Sequence, residues 1–131
     1  MTPQKRILIV DDDRDYLEAV SCFLEANRFT VLKARSGEEG MRLAKIARPD
    51  LILMDIIMGE RTEGLFTIQQ IRRIPELKGI PIFVCSSLYD KMPDFRTAPD
   101  SAWMAQDEFL AKPVDMAQLL EKIRRRIGEA A

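Results

Sequence analysis

The chain has 131 residues, 47% of them apolar and 31% charged, with a formal net charge of −1. That length and composition suit one domain around one core, and the near-neutral balance gives no whole-protein reason to expect a nucleic acid or an anionic membrane as partner. There is no histidine, which excludes histidine acid–base catalysis, histidine metal sites and a phosphohistidine carried by this chain itself.

The opening MTPQKRILIV has a basic flank, but its apolar run, Ile7 to Val10, is far shorter than the ~7–15 residues of a signal-peptide core. No run approaches the ~20 residues of a membrane span. Ile7, Leu8, Ile9 and Val10 predict a strand over about 6–10, and Asp11, Asp12 and Asp13 follow it directly. A first helix is predicted from about 14 to 27, with Leu17, Val20, Phe23 and Leu24 at helical spacing. Thr30–Ala34 predicts the second strand. Ser36-Gly-Glu-Glu39 has capping-box spacing and opens a second helix, which stops before Pro49 because the residue before proline avoids helical geometry. Leu51–Met54 is an unbroken apolar run, as expected of a strand covered on both faces. A third helix is expected near 64–74, ending before Pro75, and a fourth strand over Ile82–Cys85. Pro93 and Pro99 leave room in 88–107 only for a short or displaced fourth helix. The fifth strand is expected at about Phe109–Ala111. Asp115-Met-Ala-Gln118, a second capping-box spacing, opens a fifth helix with Leu119, Leu120, Ile123 and Ile127 as its apolar stripe. Cys22 and Cys85 form no CxxC and read as reduced core thiols of a cytosolic protein.

Five strands alternating with helices imply one parallel sheet with right-handed crossovers and helices on both faces. The whole chain, 1–131, is expected to be a single domain with its core over about 6–128. Ligand sites of such sheets lie beyond the carboxyl ends of the strands. The residues there are Asp11, Asp12 and Asp13 after the first strand, Asp55 after the third, Ser86 and Ser87 after the fourth, and Lys112 after the fifth. Asp11, Asp12, Asp55 and Lys112 together leave a formal charge of −2. A divalent cation would neutralise it, and carboxylate oxygens without histidine or a CxxC favour Mg²⁺ or a similar hard ion.

The acidic pair in IVDD, the aspartate of PDLILMD, the hydroxyl in PIFVCSS and the lysine in FLAKP, in this order, resemble a response-regulator receiver domain of two-component signalling. The resemblance runs from Arg6 to about Gly128. It implies a flavodoxin-like, doubly wound five-stranded parallel sheet of strand order 2-1-3-4-5. It implies that Asp55 is the phosphoacceptor, that Asp12 and Asp55 bind Mg²⁺ or Mn²⁺ directly with the backbone carbonyl of Ile57, and that Asp11 reaches the ion through water. Ser86 would hydrogen-bond the phosphoryl group beside Lys112. Phe109 matches the aromatic switch position, and the Lys112–Pro113 peptide is a candidate cis bond. The implied partners are a sensor histidine kinase or phosphotransfer protein and an output protein or effector domain that the sequence does not name. Neither nucleic acid nor membrane is implied. A homodimer would form through the surface of the fourth helix, fifth strand and fifth helix, and the location would be cytoplasmic. Such a domain is a switch rather than an enzyme, catalysing only its own phosphorylation and dephosphorylation.

The sequence departs from the family pattern after Asp55. Gly59 stands where proline is usual, and the next glycine, Gly64, comes a position late, which lengthens a loop containing Arg61. The segment between Ser86 and Lys112 is also longer than usual. Ile57 and Leu88 occupy two positions that set phosphoryl lifetime in the family; both are apolar, so a long-lived phosphoryl group is expected. Asp13 reads as the cap of the first helix, Trp103 and Met104 as packing, and Lys122, Arg124, Arg125 and Arg126 as a solvated basic face suited to the end of the helix dipole. Two other readings stay open. One is a phosphorylation-independent pseudo-receiver, which the altered loop would suit. The other is a haloacid-dehalogenase-type phosphatase, although that class wants a second aspartate where Ile57 stands.

Overall fold

The computed structural model describes residues 4–55, 63–86 and 108–128. In chain order they form β1 (Arg6–Val10), α1 (Arg14–Ala26), β2 (Thr30–Ala34), α2 (Gly37–Ala47), β3 (Leu51–Met54), α3 (Glu63–Arg72), β4 (Ile82–Ser86), β5 (Glu108–Ala111) and α4 (Met116–Ile127). The strands make one parallel sheet in the order β2-β1-β3-β4-β5. Helix α4 is the fifth helix of the sequence reading; the expected fourth, in 88–107, lies outside the described residues.

The unbroken apolar strands are explained by two cores. Leu8, Val10, Ile52, Met54, Ile82 and Val84 point to one face, where Ala44 of α2 and Ile68 and Ile71 of α3 cover them. Ile7, Ile9, Leu51, Leu53 and Phe83 point to the other, beneath Leu17, Val20 and Leu24 of α1 and Leu119 and Ile123 of α4. A strand buried on both faces has no polar alternation to show. On the first face α2 lies so close to β1 that a Cβ on Gly40 would stand 2.7 Å from a methyl of Val10. A side chain there would displace the residue that leads into Asp11.

The helix starts are local side-chain events. Asp13 accepts the Tyr16 N–H, Ser36 the Glu39 N–H and Asp115 the Gln118 N–H, each at 3.1 Å. Each thus satisfies an N–H that the helix leaves unpaired. Helix α2 ends on Arg48, in the left-handed region at φ 46°, just before Pro49. Helix α3 ends at Arg72 rather than near 74. Ahead of Pro75 the chain tightens, with Arg73 and Ile74 donating to the carbonyls of Gln70 and Ile71 three residues back. The Arg72 guanidinium then donates to the carbonyls of Lys78 and Ile80, both at 2.8 Å, and ties this turn to β4.

One expectation is corrected. Cys85 is buried, but Cys22 is exposed. It shares the solvent face of α1 with Glu18 and Glu25, one helical step away from the buried Leu17, Val20, Ser21 and Leu24.

Candidate functional site

The register brings the ends of the central strands level. Val10 pairs with both Ala34 and Met54, Met54 with Val84, and Val84 with Phe109. The next residues continue the ladder. The Asp11 N–H donates to the Ala34 carbonyl and the Asp55 N–H to the Val10 carbonyl, each at 3.0 Å. Sheet hydrogen bonding therefore fixes both aspartate backbones side by side on one rim.

Asp11 and Asp55 are buried, at 1% and 7% exposure, whereas Asp12 is exposed. One carboxylate oxygen from each of the three lies within 4.8 Å of the others. Asp11 does two jobs. Its Oδ1 accepts the Asp13 N–H at 2.9 Å, shaping the turn into α1, and its Oδ2 accepts from the Lys112 ammonium at 2.7 Å. The same ammonium lies 3.4 Å from Oδ2 of Asp55. Burial alone would push the Lys112 ammonium down, but the hydrogen bond it donates to Asp11 and the negative charges of Asp55 and Asp11 outweigh it, so its pKa stands above the usual lysine value. Lys112 therefore stays charged at neutral pH.

Tyr16, in the first turn of α1, lies beneath this cluster. The Lys112 Nζ is 4.2 Å from its ring centroid. The Tyr16 phenol is raised above its ordinary value, chiefly by burial, with Cys85, Asp11 and Asp55 adding to the effect. The Cys85 thiol is pushed up to about 12, again chiefly by burial, against the opposing pull of Tyr16 and Lys112. At neutral pH Cys85 is an inert, protonated neighbour, not a thiolate ligand.

Of the residues singled out in the sequence, Asp11, Asp12, Asp55 and Lys112 come together. The Lys112–Pro113 peptide is cis. Phe109 is half-buried on β5 and packs on the core beneath α2 and α3. Ser86 closes β4 opposite Ala111; its side chain lies outside the description, as do Ile57, Ser87, Leu88, the Gly59–Arg61 stretch, Trp103 and Met104. Asp13 caps α1 as expected. The basic run of α4 is partly neutralised, with Lys122 and Arg126 each 3.5 Å from the Glu108 carboxylate and Arg125 paired with Glu121. Tyr16 escaped sequence reasoning. Its one signal is its place four residues after Asp12, which brings it onto the rim once α1 forms.

The donor set suits a hard divalent cation. It offers converging carboxylate oxygens with excess negative charge, and the one thiol nearby is protonated.

Such a sheet, with an acidic cluster and a lysine at the carboxyl ends of its strands, defines a class. The family model of the response regulator receiver domain matches residues 7–124, and the chain belongs to that family. Protein PilH of Pseudomonas aeruginosa is 34% identical over 121 residues, which cover 90% of this chain and 93% of PilH. RpaA of Synechocystis sp., a DNA-binding dual master transcriptional regulator, is 32% identical over 122 residues; these cover 91% of this chain but 47% of RpaA. The crystal structure of a CheY-like response regulator receiver domain protein from Methanospirillum hungatei superposes with a TM-score of 0.74 at 26% identity, covering 95% of this chain and 94% of that one. The protein is thus a receiver domain of the two-component response-regulator type. Receiver domains are signalling switches that generally bind Mg²⁺ at an acidic pocket and work with histidine kinases or phosphotransfer proteins. Among the described residues no helix is long and apolar enough to cross a membrane.

Proposed function

We propose that Asp55 is the phosphoacceptor of this receiver and that Asp11, Asp12 and Lys112 serve the transfer. The observation that carries the reading is the convergence of three carboxylates and one ammonium on a single rim, with Lys112 between Asp11 and Asp55.

A carboxylate oxygen of Asp55 attacks the phosphorus of a phosphohistidine on a sensor kinase or phosphotransfer protein. The O–P bond forms as the P–N bond breaks. The electron pair of that bond leaves on the imidazole nitrogen, which takes up a proton. The barrier lies largely in positioning and in neutralising the charged equatorial oxygens. Lys112, already 3.4 Å from Asp55, places its ammonium against one of them. Ser86 donates its hydroxyl to another. Asp12 and Asp55, with the Ile57 carbonyl and with Asp11 through water, would hold Mg²⁺ or Mn²⁺. When bound, the ion supplies charge neutralisation at the phosphoryl group. The new charge draws Ser86 inward, Phe109 follows, and the surface around β5 and α4 changes. That surface serves an output partner or a second copy of the chain, and the setting is cytoplasmic. The chain turns over no substrate beyond its own acyl phosphate.

The test is incubation with acetyl phosphate, with and without Mg²⁺, followed by intact mass. The expected result is one added phosphoryl group in the wild type only when Mg²⁺ is present, and none in Asp55→Asn. A metal-independent adduct, or one that survives in Asp55→Asn, would overturn the reading.

A further inference from the structure

Lys112 has a long, flexible side chain, and two unequal carboxylates compete for it. Asp11 holds its ammonium at 2.7 Å, while Asp55 stands at 3.4 Å. A lysine paired with Asp11 alone would be free to swing away from Asp55 as charge arrives there. A third contact opposes this. The ring of Tyr16 lies 4.2 Å from the ammonium, within the range where an aromatic face attracts a cation.

The ring is held by a closed circuit of short links. Asp11 accepts the Asp13 N–H, Asp13 accepts the Tyr16 N–H, the Tyr16 ring faces Lys112, and Lys112 returns to Asp11. The body of the ring packs on the core beneath α1 and α4, so its orientation is set by packing. The buried hydroxyl interacts with the Cys85 thiol, away from Lys112, so it is the aromatic face that meets the ammonium.

We infer that Tyr16 is a positioning residue for Lys112, its ring confining the ammonium to the space between Asp11 and Asp55 from which it serves phosphoryl transfer. The inference rests on the reading of Asp55 as acceptor, and it names a contributor from α1 outside the acidic cluster.

The rate of Mg²⁺-dependent labelling by saturating acetyl phosphate tests it. Tyr16→Phe keeps the ring and loses only the hydroxyl, so its rate is expected within about twofold of wild type. Tyr16→Leu removes the aromatic face, and a fall of about tenfold is expected. In a Lys112→Ala background Tyr16→Leu is expected to cause no further fall, whereas a merely structural defect would lower the rate in both backgrounds. A Tyr16→Leu protein as fast as wild type, a Tyr16→Phe protein as slow as Tyr16→Leu, or an equal loss in the Lys112→Ala background would overturn the inference. The proton shifts of the Lys112 ε-methylene give a second readout that needs no phosphorylation. Ring current displaces them in wild type and Tyr16→Phe and not in Tyr16→Leu, and undisplaced shifts in the wild type would overturn the inference. If the wild type takes no phosphoryl group, the reading of Asp55 fails, and these shifts alone decide whether Tyr16 holds Lys112.

Discussion

The two ends of the sheet are built from the same strands and treat charge in opposite ways. At the amino end, exposed polar groups complete the backbone. Asp50 accepts the Arg6 N–H at 2.8 Å, the Arg6 guanidinium donates to the Arg48 carbonyl at 3.1 Å, and Thr30 donates to Gln4 at 3.0 Å. In water such contacts are each worth about 1 kcal/mol or less. At the carboxyl end Asp11 and Asp55 are buried, and among the described residues the Lys112 ammonium lies between them. Burying like charges costs several kcal/mol in order of magnitude, which an ion pair repays only in part. The amino end shows that these strands finish well without buried charge. The carboxyl end therefore carries its charges at the expense of stability, which is how sites differ from scaffolds.

Substitutions sharpen that contrast. The largest effect is expected of Asp55→Asn, with labelling by acetyl phosphate abolished while thermal unfolding stays at or above the wild-type temperature, because a buried repulsion is gone. Asp50→Ala at the other end is expected to leave labelling unchanged and to cost about 1 kcal/mol or less in a denaturant titration. If Asp55→Asn destabilises the protein more than Asp50→Ala does, the two ends are not different in kind.

Next comes Lys112→Ala, expected to slow labelling by about 10²-fold, the scale for losing one preorganised charge donor. A smaller loss than that of Tyr16→Leu would mean that the ammonium does not serve the transfer. The acidic triplet is then expected to divide. Asp12→Ala abolishes labelling, Asp11→Ala weakens it, and Asp13→Ala mainly costs ~1 kcal/mol of stability through the lost cap. Equal loss of labelling in all three would erase the distinction between cluster and cap.

A pH effect belongs to the carboxyl end as well. The folded Cys85 pKa, about 12, lies above that of an unfolded thiol, so the stability linked to it is full below about pH 8.5 and is lost as pH rises towards 12. Denaturant titrations across this range are expected to show a shallower alkaline loss for Cys85→Val than for wild type. Identical slopes would remove Cys85 from the account. In the native protein a thiol reagent is expected to modify the exposed Cys22 readily and the buried Cys85 only on unfolding.

Much of the fold was legible because its signals are local. The apolar run Leu51–Met54 declares a strand buried on both faces, and Asp13, Ser36 and Asp115 declare helix starts through bonds spanning three residues. The cluster was legible because the register places residues that follow strands on one rim. Misses arose where partners lie far apart or where orientation decides. The end of α3 depends on the tightening before Pro75 and on the carbonyls that Arg72 reaches. The exposure of Cys22 depends on which face of α1 it occupies, not on its residue type. The contact of Tyr16 with Lys112 exists only once the whole sheet is assembled, so no window of sequence contains it.

The most direct test of the central claim is chemical identification of the modified residue. Borohydride reduces an aspartyl phosphate to homoserine, and peptide mass mapping then locates it. After labelling with acetyl phosphate and Mg²⁺, homoserine is expected at position 55 and nowhere else. Homoserine at Asp11, Asp12 or another acidic residue, or none in a protein that carries the phosphoryl mass, would contradict it.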